Sequence, residues 1–350
     1  MGNVKRISWR KEGEGRGKKR KEEMGKKKAG KIDLTNLYVV LVLAGLCCFL
    51  WGSATPAIKT GYQLFQIDSK DTMSILLFAG VRFLLAGFLV ILFNSVQAGS
   101  WIWPEKGSGW SVIKLSLAQT VGQYYFFYVG LAHASGVHGA IITGMNVFIA
   151  ILMASLVFHY ETLTKKKVIG CILGFAGIVV MNLQGAGGDD MFRFSFMGEG
   201  FVFMAQLFYA ISSALIKKYS KKYNVVTMSG YQFMAGGVIL ILIGVMGGGS
   251  IAGGLVRDGA FTMSIAVPAV ALLLYMAMIS AVAYTLWGVL LKYNPVSRVS
   301  VFGFMNPVFG VLLSALILGE SAQALSIYAL AALVLVSLGI YVVNKPERQA

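Results

Sequence analysis

Apolar runs of about 20 residues recur along the chain, the length one helix needs to cross the hydrocarbon of a bilayer. Gly, Pro and charged positions separate them, and they predict ten spans, near residues 37–58, 74–94, 110–130, 137–158, 168–184, 198–216, 226–246, 267–290, 297–318 and 322–343. Inside lipid the backbone finds no partner but itself, so each span is expected to be helical. Composition agrees: 57% of the 350 residues are hydrophobic and 13% charged, against about 25% charged in soluble domains. A water-soluble enzyme or binding domain is excluded. The expected class is an all-α integral membrane protein.

Charge changes the picture by its placement. Lys and Arg number 31 against 15 Asp and Glu, a net +16, which alone would also fit a nucleic-acid partner. Thirteen of the basic residues crowd into positions 1–31 with four Glu and almost nothing apolar, so residues 1–33 are expected to be a disordered tail. If that tail is cytoplasmic, the connections on its side carry thirteen more (Lys106, Lys114, Lys165, Lys166, Lys167, Lys217, Lys218, Lys221, Lys222, Lys292, Arg298, Lys345 and Arg348). The opposite connections hold only Lys59, Lys70, Arg193 and Arg257, and Arg82 falls within a span. Positive charge on the inside of every loop orients a membrane protein. It places both termini in the cytoplasm of a multi-pass protein of the cell membrane and removes the case for nucleic acid. No secretory signal peptide is expected ahead of the first span. The tail reads as an orientation signal, a plain solvated tail or a segment drawn to anionic lipid, and Met24 is an alternative to Met1 as the start of translation. Cys47, Cys48 and Cys171 lie inside apolar runs without metal-ligand or disulfide spacing, and read as small packing residues.

The chain also repeats itself. WGSATPAIK ending at Lys59 aligns with YAISSALIK ending at Lys217, and AGVRFLLAG around Arg82 with SGYQFMAGG around Gln232. GMNVFIAILMASLVFHYE ending at Glu161 aligns with FMNPVFGVLLSALILGE ending at Glu320. Each half carries five spans, an odd number, so the second copy enters the bilayer inverted, an arrangement common in carriers. The organisation expected is a tail at 1–33, a first repeat at 34–184, an outside linker at 185–197, a second repeat at 198–345 and a cytoplasmic end at 346–350.

These segments, in this order, resemble the drug/metabolite transporter (DMT) superfamily, specifically two EamA-type repeats. The resemblance implies ten transmembrane helices, as two inverted five-helix repeats around a central cavity lined by the first, third, fourth, sixth, eighth and ninth helices. It also implies movement of small metabolites, often outward. Two positions depart from the family: Val147 stands where the second repeat has Pro307, and Tyr160-Glu161 replaces a Gly-Glu pair. Without that proline the fourth span should kink less readily than the ninth.

A polar side chain inside a span is costly unless it faces the bundle or a cavity, which selects the candidate substrate-binding residues. Gln119 and Gln123 are four apart and can share a helix face. In the sixth span Glu199, Gln206 and Ser213 repeat every seven residues, with Ala210 between. The first span carries Cys48, Gly52, Thr55 and Lys59 at the matching places. Both stripes suit a cavity wall or close helix packing. Ser280, Tyr284 and Trp287 form an aromatic face with a hydroxyl. Trp51 and Tyr209 are equivalent by repeat, and they share with Trp287 the choice between cavity wall and interfacial belt. Asn146 and Asn306 are mid-span amides. Arg82 could neutralise an anionic solute, tie two helices together, or snorkel toward the outer interface. Glu199 could carry a proton, though it lies a turn from the outer surface, and no carboxylate sits mid-span. His133, His138 and His159 fall at span ends, and Glu161 and Glu320 read as turn or capping groups. Gly170 and Gly174 form GxxxG, a packing signal and a dimer face for a homodimer.

No catalytic residue, cofactor or metal site is expected, since the sequence offers no Ser/His/Asp grouping, no HExxH and no ligand cluster. A membrane-embedded enzyme remains the alternative class. The expected partners are a small-molecule substrate and the lipid bilayer. The aromatic, amide-rich and weakly charged set suits a neutral or zwitterionic, amino-acid-like solute. Sugar phosphates and nucleotide sugars are the alternative, because a phosphate would want several inward Arg or Lys.

Overall fold

The computed structural model describes residues 33–134, 139, 142–183, 195–257, 259–318 and 327–345. The basic tail, most of the linker, the C-terminal end, His138 and Glu320 lie outside the described residues, as does the side chain of Thr55.

The described elements are almost all helical. They run as α1 (Leu37–Phe65), α2 (Thr72–Ala98) and α3 (Gly109–Leu115, a π-helical stretch Ser116–Gly122, then Gln123–His133). Next come α4 (Asn146–Leu152 and the π turn Met153–Val157), α5 (Lys165–Leu183) and α6 (a π turn Phe196–Gly200 leading into Phe201–Tyr219). The chain continues with α7 (Val225–Met246) and α8 (Met263–Tyr293). Then α9 (Val296–Ser300, a 3-10 turn Val301–Phe304, then Met305–Leu318) and α10 (Ile327–Asn344) complete it. Before α8, two-residue strands β1 (Val256–Arg257) and β2 (Ala260–Phe261) pair antiparallel. By length and composition α1, α2, α6, α7 and α8 can cross a membrane, and Ile142–Val157 and Leu330–Asn344 are shorter apolar helices.

Local chemistry sets the helix limits. Asn36, Asp71, Ser195 and Asn224 each accept a backbone N–H of the helix that follows, which satisfies a donor that lipid could not. The Ser74 hydroxyl, more than its N–H, holds the Asp71 carboxyl below the usual carboxylate range. Helix α1 runs past Lys59, where the hydropathy pattern ends, because the Lys59 side chain is exposed. It also passes Pro56, and the Thr60 hydroxyl donates to the Pro56 carbonyl at 3.0 Å. Gln66, at φ 54°, stops it with left-handed backbone. In α9 the irregular 3-10 turn comes just before Pro307, which sits in the first turn of the regular helix that follows, where its missing N–H costs least.

The packing repeats under exchange of the two halves. Helix α1 packs on α8 and α9, and its repeat mate α6 packs on α3 and α4; α2 touches α8 as α7 touches α3. Two helices pair with their own mates, α2 with α7 and α5 with α10. Both pairs are antiparallel: along α2, Leu77, Leu84 and Ile91 meet Gly244, Gly237 and Gly230 of α7 in descending order. Likewise Gly170, Gly174 and Gly177 of α5 meet Val343, Gly339 and Val336 of α10. Antiparallel mates mean that the second repeat is inverted relative to the first. Apolar helices gain little from one another in lipid, so close approach through glycine, and the dispersion contacts it permits, hold these seams. The Gly170/Gly174 groove is therefore filled from within the chain: a Cβ on Gly174 would lie 2.3 Å from the Phe304 ring, and one on Gly170 2.4 Å from Val343.

Two glycines in similar helices should respond oppositely to alanine. A Cβ on Gly87 would stand 2.4 Å from the Gly230 carbonyl oxygen, whereas one on Gly45 meets nothing within 4 Å. Gly87→Ala is expected to destabilise the purified protein by about 1–3 kcal/mol, and Gly45→Ala to stabilise it by about 0.5–1 kcal/mol; melting in detergent checks both signs.

Candidate functional site

Aromatic side chains from both repeats converge where α1, α2, α3, α7 and α8 meet. Phe83 and Phe233 follow Arg82 and Gln232 at the same place in the repeat, and their rings stack 5.5 Å apart at 23°. The edge of Tyr284 meets both, at 6.4 and 5.3 Å. Trp51 lies edge-on to Tyr284 and to Trp287, each at 5.0 Å. The Tyr124 ring is 4.6 Å from Phe83, and its hydroxyl is 2.6 Å from that of Tyr284. Each such pair adds about 0.5–1.5 kcal/mol beyond area burial, so the junction holds its own shape. A ring cluster thus occupies the point where the sequence suggests a central cavity. Trp51, Gln123 and Tyr124 are only half-buried there, while Tyr284 and Trp287 are buried. Trp287 is 2% exposed, which removes the interfacial-belt reading. A hollow of about 320 Å³ lies at the start of α6, lined by Ile142, Phe196, Glu199, Gly200, Phe203 and Met204.

Arg82 sits against this junction and is 4% exposed. It stands ten residues into α2, about 15 Å from the helix start, so it does not snorkel. Its guanidinium carbon lies 4.6 Å from the centre of the Phe83 ring and 5.6 Å from that of Tyr124. The phenols of Tyr128, Tyr124, Tyr284 and Tyr62 are its electrostatic neighbours. Among the described residues no carboxylate pairs with it, none accepts a hydrogen bond from it, and its Nε is buried without a partner. A desolvated cation–π contact is worth about 2 kcal/mol, and a central Arg costs about 2.5–3.5 kcal/mol or more to hold in a bilayer. The two rings together are of the same order as that cost, but a ring face accepts no hydrogen bond in the plane of the guanidinium. Among the described residues the tie Arg82 makes between helices is its cation–π contact with Tyr124 of α3, with no hydrogen bond or ion pair beside it.

Its repeat mate shows the opposite condition. The Gln232 amide donates to Gln119 Oε1 at 3.0 Å and accepts from the Thr120 hydroxyl at 2.9 Å, all three residues being buried. Gln119 is thereby committed to joining α3 and α7. Gln123, one turn on, keeps its Oε1 buried without a partner, as Asn306 does its Oδ1 and Trp51 its Nε1. These three groups have hydrogen-bonding capacity to offer a solute.

The two stripes resolve toward packing. Cys48 is fully buried and donates to the Phe302 carbonyl, and a Cβ on Gly52 would strike Phe309 of α9 at 2.6 Å. On α6, Gln206 donates to Val202 and Ser213 to the Tyr209 carbonyl within the same helix; Tyr209 and Ala210 are buried with them. Small and self-satisfied groups let the neighbouring helix approach, so these faces join helices. Asn146 is half-buried, with its Oδ1 facing the Gly303 position of α9. Glu199 is 6% exposed and accepts the Ser195 N–H at 2.8 Å, the place of a helix-start group.

At the end where α1 begins, polar contacts bridge the repeats. Glu161 accepts the Ser297 N–H at 2.9 Å and the Ser297 hydroxyl, and pairs with Lys167 at 2.9 Å. Asn294 donates to the Leu34 carbonyl, and Arg298 to that of Thr35. Lys217 closes the end of α8 by donating to the carbonyls of Leu291, Lys292 and Asn294, so it is spent as a cap and is no substrate cation. Glu161, expected as a turn or capping group, caps the start of α9 and so links the first repeat to the second.

Comparison with known proteins places this architecture. The EamA-like transporter family matches residues 38–183 and 196–345. The chain is 26% identical over 303 residues to a WAT1-related chloroplastic protein of Arabidopsis thaliana, covering 85% of this chain and 68% of that one. It is 24% identical to YvbV of Bacillus subtilis, covering 78% of this chain and 83% of that one. It is 26% identical to sll0355 of Synechocystis sp., covering 86% of this chain and 88% of that one. Both carry the description uncharacterized transporter. A crystal structure shares the fold at TM-score 0.67 and 16% identity, over 87% of this chain and 96% of that one. With one match to each inverted repeat and the two together spanning nearly the whole helical region, the chain belongs to the EamA-like transporter family of the drug/metabolite transporter superfamily.

Proposed function

We propose that the protein is a secondary transporter with ten membrane spans. It moves a small neutral or zwitterionic, amino-acid-like metabolite across the cytoplasmic membrane by alternating access, in the outward direction. The observation that carries this reading is the pair of antiparallel mate seams, α2 on α7 and α5 on α10, flanking a junction built from both repeats. Two similar bundles of opposite orientation can exchange the roles of open and closed end by rocking about such seams. The positive-inside count supports a cytoplasmic position for the α1-start end, where Glu161 and Ser297 act as a latch. Trp51, Tyr284, Gln123 and Asn306 line the solute path, and Arg82 is the buried cation beside it. One buried cation among the described residues argues against phosphate esters, which would want several.

Counterflow of labelled leucine and phenylalanine into proteoliposomes of the purified chain tests the function. Saturable uptake above empty liposomes is expected, and Gln123→Ala, which removes an amide whose Oε1 has no partner among the described residues, should reduce it about fivefold with little change in melting. Exchange of hexose phosphates instead of amino acids would contradict the solute class.

The latch is tested separately. Ser300 is fully buried at that end of α9. Ser300→Cys should react slowly with a membrane-impermeant thiol reagent from the cytoplasmic side. Adding Glu161→Gln, which weakens charge-assisted bonds, should speed that reaction about tenfold; an unchanged rate would mean the contact does not govern opening.

A further inference from the structure

We propose that Arg82 is a carboxylate subsite, so that the transported solute carries a single negative charge seated on this guanidinium. The inference rests on the carrier reading above and narrows it, selecting carboxylate-bearing solutes over uncharged ones. Three observations lead to it. Arg82 is the one basic side chain that is buried among the described residues. It lies beside half-buried Tyr124 at the centre of the bundle, yet has neither counter-ion nor acceptor there. Its repeat mate Gln232, at the same position of the other half, is bonded through both ends of its amide. The chain thus contains its own comparison: a structural occupant of this position is saturated, whereas Arg82 holds its donors in reserve.

The chemistry of the donor selects the ligand. A guanidinium presents parallel N–H groups that fit the two oxygens of one carboxylate. The flanking rings of Phe83 and Tyr124 offset the charge through their faces but leave the in-plane N–H donors without an acceptor among the described residues, so an incoming anion gains a favourable interaction in a water-poor setting. A dianionic phosphate would keep one charge unmatched.

The test compares acids with their own carboxamides on the purified full-length protein by thermal shift: leucine with leucinamide, phenylalanine with phenylalaninamide, and benzoate with benzamide. The acid is expected to stabilise the wild type with an apparent affinity at least about tenfold above that of its amide. Arg82→Lys should keep part of that preference, and Arg82→Gln should abolish it. The acid-against-amide comparison uses the wild type alone, so it stands even where a variant misfolds. Amides binding as well as acids, undiminished acid binding in Arg82→Gln, or silence from every acid would overturn the subsite. Binding of benzoate but not of leucine, lost in Arg82→Gln, would uphold the subsite and overturn the amino-acid-like reading. Binding of leucinamide equal to that of leucine would do the reverse, leaving the carrier of amino-acid-like solutes without its Arg82 contact.

Discussion

Close approach of repeat mates through glycine is the constraint on which the rest of the structure depends. In a bilayer the backbone is satisfied within each helix, and apolar side chains gain little by leaving lipid for one another. What remains to hold helices together is intimate contact, and α7 secures it with Gly230, Gly237 and Gly244 spaced seven apart against Ile91, Leu84 and Leu77. Gly170, Gly174 and Gly177 do the same against α10. Because both seams join an element to its own inverted copy, they set the symmetry of the molecule and fix where the two halves face each other.

The junction follows from that frame. Phe83 and Phe233 stack on each other because the α2–α7 seam brings equivalent positions together. Neighbouring helices then add Trp51, Tyr124 and Tyr284 around them. The two halves differ at the residue just before each Phe: Gln232 is absorbed into the fold by Gln119 and Thr120, and Arg82 is not. On the proposed reading, a symmetric scaffold with one asymmetric charge gives the carrier a place to distinguish solutes while its halves rock as equivalents.

Much of the architecture was legible in the sequence because hydropathy over 20 residues reports the solvent itself. The predicted span at 226–246 differs from α7 by one residue at its start. The predicted span at 37–58 ends before Lys59 because a charge stops a hydropathy run, although an exposed lysine does not stop a helix. Site residues were harder to read. Gln119 and Gln123 look alike in sequence, and only the α7 partner separates a structural amide from an unspent one. The Cys48 and Gly52 stripe had two meanings, cavity wall and packing face, and the proximity of α9 decided between them. Phe83 and Phe233 escaped selection as ordinary apolar residues, yet their recurrence at one repeat position was a visible signal. Arg82 has three readings in the sequence, anion site, interhelical tie and snorkelling group, because its depth and its want of a hydrogen-bond or ion-pair partner among the described residues are properties that only three dimensions show.

Alternating access requires that a path through the aromatic junction open to one side of the membrane at a time. It is tested most directly at Gln123, in a background where Cys47, Cys48 and Cys171 are replaced by alanine, by measuring how fast Gln123→Cys reacts with an impermeant thiol reagent added to either face. Reaction from both faces is expected, with loss of the cytoplasmic reaction alone when cysteines at positions 161 and 297 are joined by a short thiol-specific bridge. Reaction from one face only without the bridge, or undiminished reaction from both faces with it in place, would contradict alternating access.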